Sequence, residues 1–334
     1  MTDPDKITIY DVAERAGVSI TTVSNALNRP ERVGAATLQR VLDVMDQLGF
    51  TPKETAVSRA RKGVGRIGAL APFSSYASYR TRLVGVLRAC EGRAIEVVVF
   101  DQESAAAAVS PLLGSLPTTG RLDGLLLMGV PLQDAMARRI VQRKLATVLL
   151  DSFHRDFASV NVGDEGGGRL VGEYLASKGH RHIAYVSEEQ RSMDYLSQGQ
   201  LRIQGLEKAL GEAGVTDAVR HVITSNDLAG GRRAAADMVA AKALPDAILA
   251  HHDDLAAGLV SGLRAAGVRV PEDVAVVGYD DGDLADALGL TTVRQPFVES
   301  GELACTLLLD RLSGPSRAVQ HVNLPAELIV RSTA

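Results

Sequence analysis

Apolar residues recur at helical spacing in the first fifty positions, and this pattern predicts three short helices. Thr8 stands before the first helix with Asp11 three positions later, the spacing of a capping box, and Gly17 supplies a left-handed stop. The second helix is predicted over residues 20–27 and the third over residues 35–48. No strand pattern lies among them. The chain therefore opens with a small all-helical module.

From residue 67 onward, apolar runs of strand length alternate with helical stretches. Strands are predicted over residues 67–71, 95–100, 124–128, 147–150, 182–186, 221–223, 247–250 and 274–277. Helices are predicted over residues 83–91, 169–178, 205–213, 231–241 and 255–266. Alternation of this kind indicates parallel sheets with helices on both faces. The fold class is therefore α/β, with doubly wound parallel sheets behind the helical module.

The strands suit two lobes better than one sheet, because eight of them spread over about 270 residues. A break near residues 160–163 leads into the glycine-rich run 163–168, which we interpret as a flexible crossing between lobes and the start of a helix. Ligands of open parallel sheets bind beyond the carboxyl ends of the strands. A two-lobed arrangement therefore predicts a ligand site in the cleft.

Composition narrows the class of protein. The chain has 334 residues, of which 46% are hydrophobic and 23% charged, a mixture typical of globular proteins. Its two cysteines, Cys90 and Cys305, are too few and too far apart for a disulfide framework or a zinc cluster. Neither a secretory signal nor an apolar run long enough to span a membrane is present in the sequence. We therefore expect a cytoplasmic protein.

The formal net charge of −4 argues against a polybasic protein that binds nucleic acid by charge alone. This average conceals a basic segment over residues 53–66, where five Lys and Arg residues stand against Glu54 alone, a local net charge of +4. We expect these charges to contact phosphates and to make DNA affinity fall steeply with salt. A solvated linker is the alternative interpretation of Arg59, Arg61 and Lys62.

A helix, a tight turn with glycine and a second helix form a helix-turn-helix pattern over residues 11–27. Packing of the apolar positions leaves four short polar side chains on the outer face of the second helix: Thr21, Thr22, Ser24 and Asn25. Such groups reach phosphates and base edges when a helix lies in a major groove. Helix spacing alone fits a three-helix bundle used for protein contacts equally well.

Short motifs add a family resemblance. Residues 8–13 (TIYDVA), 16–19 (AGVS), 22–24 (TVS), 27–28 (LN) and 48–52 (LGFTP) together resemble the headpiece of the LacI/GalR (lactose-repressor) family. Further matches extend the resemblance over essentially the whole chain. It implies a helix-turn-helix headpiece over residues 1–52, a hinge over 53–65 and a two-lobed, periplasmic-binding-protein-like core over 66–334. The N-lobe is expected over about 66–162 and 293–321, and the C-lobe over about 163–292 and 322–334.

The expected DNA contacts combine the polar helix face with the resemblance. They are Thr8, Ser19, Ile20, Thr21, Thr22, Ser24, Asn25, Asn28, Arg59 and Arg61. Asn25 occupies a position where the family usually has arginine for guanine, and an amide favours adenine instead. The hinge stretch 56–61 lacks the leucine that wedges into a minor-groove step in the family. An arginine there could enter a narrowed minor groove electrostatically.

Polar residues at predicted strand ends are candidate effector contacts. Asp151 and Asp280 each follow a strand, and Arg202 opens a predicted helix. An aspartate and an arginine facing each other can hold vicinal hydroxyls or a heterocycle edge through paired hydrogen bonds. With the positions that the resemblance adds, the expected contacts are Phe73, Asp151, Arg202, His252, Asp280 and Phe297. The family commonly has asparagine at His252, and each polar residue has a helix cap or surface ion pair as its alternative role.

The ligand class stays open at this stage. Aromatic residues make up only 4% of the chain and tryptophan is absent, which weakens a sugar-stacking site. The available stacking residues are Phe73, Phe153, Tyr195 and Phe297. A sugar, a nucleoside or another small polar metabolite remains compatible with this composition.

Two runs resemble parts of enzyme sites. Residues 251–254 (HHDD) offer four metal-ligand types in a row, but adjacent side chains diverge on a helix or strand. The run 163–169 is neither a dinucleotide fingerprint nor a Walker loop. No nucleophile with a neighbouring base and no catalytic carboxylate pair stands out. We expect no enzymatic activity, no metal and no cofactor.

The sequence therefore predicts a DNA-binding transcriptional regulator, expected to be a repressor, that binds an operator as a homodimer. A small-molecule effector bound between the lobes is expected to control operator affinity. Two alternatives stay open: an exported-type binding protein without regulation, and an α/β enzyme acting on a sugar or nucleotide.

Overall fold

A computed structural model describes residues 7–50, 65–102, 111–190, 196–216, 218–314 and 318–334. Arg59, Arg61 and Tyr195 lie outside the described residues, and of Asn28 only the backbone is described. The chain divides into two compact units. Unit 1 comprises Met1–Asn161 and Phe297–Val322, and unit 2 comprises Val162–Pro296 and Asn323–Ala334.

Helices and strands alternate through the core as the sequence predicts. The helices are α1 Ile9–Ala16, α2 Ile20–Asn28, α3 Ala35–Leu48, α4 Ala77–Cys90, α5 Pro111–Ser115, α6 Asp134–Gln142, α7 Asp164–Ser177, α8 Gln198–Glu212, α9 Leu228–Ala240, α10 Asp253–Ala265, α11 Asp283–Leu288 and α12 Phe297–Ser313. The strands are β1 Gly65–Ala71, β2 Ile95–Asp101, β3 Gly124–Met128, β4 Ala146–Leu150, β5 Ala158–Val162, β6 Ile183–Ser187, β7 Val219–Ile223, β8 Ala247–Ala250, β9 Ala275–Val277, β10 Thr292–Arg294, β11 His321–Leu324 and β12 Glu327–Ile329.

The headpiece, residues 7–50, contains the three predicted helices. The Asp11 carboxylate accepts hydrogen bonds from the Thr8 backbone N–H at 2.7 Å and from its hydroxyl at 2.6 Å, which fixes the start of α1. Gly17 ends α1 with a φ of 65°, a left-handed conformation that glycine adopts without strain. One apolar cluster, including Val23 and Met45, buries the inner faces of all three helices. This packing holds α1 and α2 in a helix-turn-helix unit.

The core of unit 1 is a six-stranded sheet in the order β11-β5-β4-β3-β1-β2. Strands β1 to β5 pair in parallel, so their carboxyl ends meet at one edge. The chain passes from unit 1 to unit 2 at Asn161 and Val162, at the end of β5 and within the stretch 160–163 where the sequence breaks. Cys90 and Cys305 are free thiols whose Sγ atoms lie 3.6 Å apart between α4 and α12, a proximity that their sequence separation conceals.

Unit 2 contains a parallel sheet in the order β7-β6-β8-β9 and an antiparallel pair, β10 with β12. The glycine run is the start of a helix, as predicted, but it is not a flexible crossing, because α7 begins at Asp164 and includes the last three glycines of the run. Close packing explains this: a Cβ at Gly167 would collide with the Tyr279 hydroxyl, and a Cβ at Gly168 with the Arg202 carbonyl oxygen. The glycines therefore serve helix packing. No helix of the described residues is long and apolar enough to cross a membrane.

The crossing of α7 and α8 makes a stability prediction. A Cβ at Gly205 would collide with backbone atoms of Glu165 and Arg169, whereas a Cβ at Gly211 on the same helix would meet nothing within 4 Å. Gly205→Ala should therefore lower the free energy of unfolding by roughly 1–3 kcal/mol, because rigid backbone must move apart. Gly211→Ala should leave it unchanged or raise it by up to about 1 kcal/mol. Denaturant unfolding measures both, and equal effects would contradict the packing argument.

Candidate functional site

The start of α2 presents a polar surface to solvent. The Ser19 hydroxyl accepts a hydrogen bond from the Thr22 backbone N–H at 3.1 Å and lies 2.9 Å from the Thr22 hydroxyl. Thr21 is exposed beside them, and Ile20 is 42% exposed. A helix N-terminus with hydroxyl donors attracts phosphate groups. The geometry is therefore suited to nucleic acid, as the helix-turn-helix pattern predicts.

The remaining headpiece residues have different surroundings. Thr8 is exposed and bonded to Asp11, whereas Ser24 and Asn25 are half-buried. Tyr10, which sequence reasoning did not single out, is 66% exposed on α1. Its phenol can donate to a phosphate from the same module. Two sequence features could have identified Tyr10. It belongs to the TIYDVA motif, and it is not among the apolar residues predicted to pack from the first helix.

Arg202 forms the centre of a buried network in unit 2. The side chain lies in the second turn of α8 rather than at its start, and only 6% of the residue is exposed. Its Nε donates to the Asp164 carboxylate at 2.8 Å, and its Nη1 donates to the His251 carbonyl at 2.5 Å. The guanidinium lies 3.7 Å from the centroid of the Tyr279 ring. Burial acts to lower the pKa of Arg202, but Asp164 and the neighbouring Tyr279, Asp280 and Tyr185 together raise it above its usual value, so the group stays cationic.

Two adjacent histidines follow β8 and have separate partners. The Tyr185 hydroxyl lies 2.7 Å from His251 Nδ1, and burial lowers the pKa of His251 well below its usual value. His252 caps α10, because its Nδ1 accepts from the Leu255 backbone N–H at 3.2 Å. Burial also lowers the pKa of His252, to about 4. Both rings are therefore neutral near pH 7, and the structure assigns His252 a capping role, whereas its effector contact stays a prediction.

Two further polar side chains lie at the carboxyl end of the unit 2 sheet. Asp280 follows β9 with a φ of 114°, and its carboxylate accepts from the Gln295 amide at 2.8 Å. Asn226 follows β7, and both polar atoms of its side chain are buried without a hydrogen bond to any described residue. A buried amide without partners marks a place where a ligand or water completes the bonding. Sequence reasoning missed Asn226, although it follows the predicted strand 221–223.

The first aspartate of the HHDD run, Asp253, has a structural role. The Asp253 carboxylate accepts from the Thr292 hydroxyl at 2.6 Å and from the Gly282 backbone N–H at 2.7 Å. Burial raises the pKa of Asp253 to about 7. Within the described part of the chain, no group of three or more His, Cys, Asp or Glu residues could hold a metal ion.

The corresponding edge of the unit 1 sheet contains a second buried ion pair. Arg82 of α4 forms an ion pair with Asp151, which follows β4 with a φ of 53°. The Arg82 guanidinium lies 4.3 Å from the centroid of Phe297 and 5.2 Å from that of Tyr79. Sequence reasoning identified Asp151 and Phe297 but missed Arg82, which lies inside an amphipathic helix without a motif.

Other side chains complete this edge. Phe73, after β1, is buried, whereas Phe153 is exposed and lies against His321 with 4.7 Å between ring centroids. The Ser152 hydroxyl and the Gln102 amide oxygen are buried without a hydrogen bond to any residue that the structure describes. In each unit, therefore, the carboxyl end of a parallel sheet combines a neutralised arginine, aromatic rings and buried polar atoms without a hydrogen-bond partner among the described residues. Such sets bind small polar molecules.

Comparison with known proteins agrees with these features. The family described as "Bacterial regulatory proteins, lacI family" matches residues 8–53, and the "Periplasmic binding protein-like domain" matches residues 173–334. The chain is 32% identical to the ribose operon repressor of Escherichia coli (strain K12), over 98% of this chain and 99% of that protein. It is 30% identical to the HTH-type transcriptional repressor PurR of Photobacterium profundum, over 98% of each.

Solved structures match over the same length. The complex of the transcriptional regulator CelR with cellobiose is 27% identical, with a TM-score of 0.70, over 98% of this chain and 100% of that chain. The lac repressor dimer bound to operator and the anti-inducer ONPF is 26% identical, with a TM-score of 0.67, over 98% of this chain and 99% of that chain.

A helix-turn-helix headpiece joined to a core that resembles periplasmic binding proteins defines the class of ligand-responsive DNA-binding regulators. Within that class, the chain belongs to the lacI family of bacterial regulatory proteins. The family and the fold class predicted from the sequence are thereby confirmed. The relatives named above are transcriptional repressors, not enzymes.

The cap at His252 makes a pH prediction. The unfolded chain binds a proton at His252 near pH 6.5 and the folded chain near pH 4, so this group destabilises the fold as pH falls below 6.5. His252→Asn keeps a capping side chain and removes the titration. It should match the wild type within about 0.5 kcal/mol at pH 7.5 and exceed its unfolding free energy by about 1 kcal/mol at pH 5, since the ring is only partly buried. A difference between variant and wild type that does not change with pH would contradict this assignment.

Proposed function

We propose that this protein is a transcriptional repressor that binds operator DNA as a homodimer and responds to a small polar metabolite. The observation that carries the proposal is the joining, in one chain, of an exposed polar surface on α2 to a core in which buried polar atoms near strand ends have no hydrogen-bond partner among the described residues. The repressor relatives and the operator-bound lac repressor dimer support its DNA half. The cellobiose complex supports its effector half.

The proposed DNA contacts begin at α2. Ser19, Thr21 and Thr22 contact phosphates and base edges there, and Asn25 selects adenine rather than guanine. The set also includes Thr8, Ile20, Ser24 and Asn28. Arg59 and Arg61 of the basic hinge segment contact phosphates or enter the minor groove. Because one short helix reads few bases, two headpieces on neighbouring half-sites supply the specificity.

The dimer has a candidate face on unit 1. Val84 and Leu87 on α4 and Val99 on the edge strand β2 are exposed apolar side chains. Apolar groups at a sheet edge are typical of surfaces that pair with another chain. We place the contact between the two copies there.

The proposed effector is an uncharged sugar or nucleoside. Its contacts are Phe73, Asp151, Arg202, His252, Asp280 and Phe297, with Arg82 and Asn226 added. Arg82 and Arg202 are already neutralised by Asp151 and Asp164, so a phosphate dianion would meet carboxylates rather than free cations. Hydroxyl and amide groups of a ligand, by contrast, can form the hydrogen bonds that the Asn226 amide does not form with any described residue. The proposal includes no catalytic step, no cofactor and a cytoplasmic location.

DNA binding is tested with the duplex from upstream of the protein's own gene. We expect a specific gel shift that survives excess competitor DNA. Neutralising Arg59, Arg61 and Lys62 to glutamine should reduce the slope of log affinity against log salt by about three units, because three phosphate contacts disappear. Absence of any specific shift would contradict the DNA half of the proposal, and an unchanged slope would remove the hinge from the interface.

Effector binding is tested by thermal unfolding with D-ribose, adenosine and ribose 5-phosphate as probes. Saturation with an uncharged probe should raise the Tm by a few degrees, roughly the effect of 3 kcal/mol of binding free energy. Asn226→Ala should keep the basal Tm, because its amide bonds to no described residue, and should lose the shift. The control variant is Asn323→Ala, at an exposed position, which should keep the full ligand-induced Tm shift. A full shift in Asn226→Ala, or a larger shift with ribose 5-phosphate, would overturn the assignment.

A further inference from the structure

The headpiece contacts the core of its own unit through two arginines of α6. The Arg139 Nε lies 2.6 Å from the Asp46 carboxylate, and its Nη2 lies 2.9 Å from that of Asp43. Arg143 donates from Nη2 to Asp46 at 2.8 Å and from Nη1 to the Phe50 carbonyl at 3.1 Å. Both acidic residues lie on α3 of the headpiece. Four charge-assisted hydrogen bonds thus join the two parts.

Because Arg139 is buried, it depends on the headpiece for its charged partners. Arg139 is only 7% exposed, and both carboxylates within its reach belong to the headpiece. A buried guanidinium that loses its carboxylates is strongly destabilised. The core is therefore built to hold the headpiece in one position. The two parts also approach each other closely at a second point, since a Cβ added at Gly114 on α5 would lie 3.3 Å from the Leu42 side chain on α3.

The docked headpiece keeps part of its recognition surface exposed. The charged contacts come from the carboxyl half of α3, and α5 also lies near α2, whereas Tyr10, Ile20 and Thr21 stay exposed. Ser19 and Thr22 bond to each other. Docking therefore leaves Tyr10, Ile20 and Thr21 accessible to DNA, which argues against an autoinhibitory contact.

We propose that α6 is a docking surface for the chain's own headpiece and that docking raises operator affinity. A headpiece held in place loses less orientational freedom when it binds DNA. Arg139 and Arg143 also neutralise Asp43 and Asp46, which would otherwise repel phosphate groups. The affinity part rests on the proposed DNA-binding function, whereas the docking part stands on its own.

Docking is tested by the distance between spin labels on the full chain. Labels are attached at Gln47→Cys on α3 and at Gln133→Cys before α6, both exposed, while the native cysteines are buried. We expect a narrow distance distribution that persists when labelled protein is diluted with unlabelled protein. Arg139→Glu with Arg143→Glu should broaden it, and adding Asp43→Arg with Asp46→Arg should narrow it again. A broad wild-type distribution, or a narrow one lost on dilution, would overturn docking within one chain.

Affinity is measured by fluorescence anisotropy on the duplex from upstream of the protein's own gene. Arg139→Glu with Arg143→Glu should weaken binding about tenfold at low salt. The matched control is Arg138→Glu with Lys144→Glu, which makes the same charge change next to the docking arginines and should weaken binding far less. Tighter binding after undocking would identify an inhibitory contact, and equal loss in the control would reduce the effect to net charge. If the wild type did not bind the duplex at all, the proposed DNA-binding function would be refuted. The spin-label distances would still test docking independently.

Discussion

The buried ion pair between Arg202 and Asp164 is the interaction on which the site in unit 2 depends. It exists because α7 and α8 cross with their backbones in contact, which the missing side chains at Gly168 and Gly205 permit. That crossing brings the first residue of α7 against the second turn of α8. A buried guanidinium without its carboxylate would cost roughly 3–5 kcal/mol. The pair therefore fixes the helices, and the helices fix the strand ends around the site.

Unit 1 contains an equivalent buried ion pair at a close helix crossing, formed by different helices. There, α4 and α12 approach so closely that a Cβ at Gly85 would collide with Val298, and a Cβ at Gly301 with Arg82. The crossing again buries an arginine against an aspartate, Arg82 against Asp151. In both units the charge of the arginine is neutralised by an aspartate within the fold. The arginine therefore presents an oriented polar surface rather than an unpaired positive charge. This supports the proposal that neutral polar groups recognise the effector.

Local patterns made most of the fold predictable, and the failures have physical reasons. Apolar runs with a period of two or 3.6 residues indicate buried strands and helices directly, so the headpiece helices and eight of the twelve strands in the described residues were identified. Strand β5 was missed because its polar residues, Ser159 and Asn161, interrupt the apolar run. The glycines of α7 were interpreted as a flexible crossing that leads into a helix, since the residues against which they pack are distant in sequence. Arg82 was missed for the same reason, because only the folded chain brings it to Asp151.

The net charge of the chain also fails to predict how its charged groups are arranged. The net charge of −4 describes neither the basic hinge segment nor the acidic face of α3. That acidic face would oppose DNA binding if it stood alone, yet the core covers it with two arginines whose positions no local pattern reveals. Electrostatic energy depends on distance and burial rather than on totals. A net negative charge is therefore compatible with a DNA-binding regulator, because the acidic groups of α3 are already paired with core arginines and the basic hinge segment is the part proposed to contact phosphate.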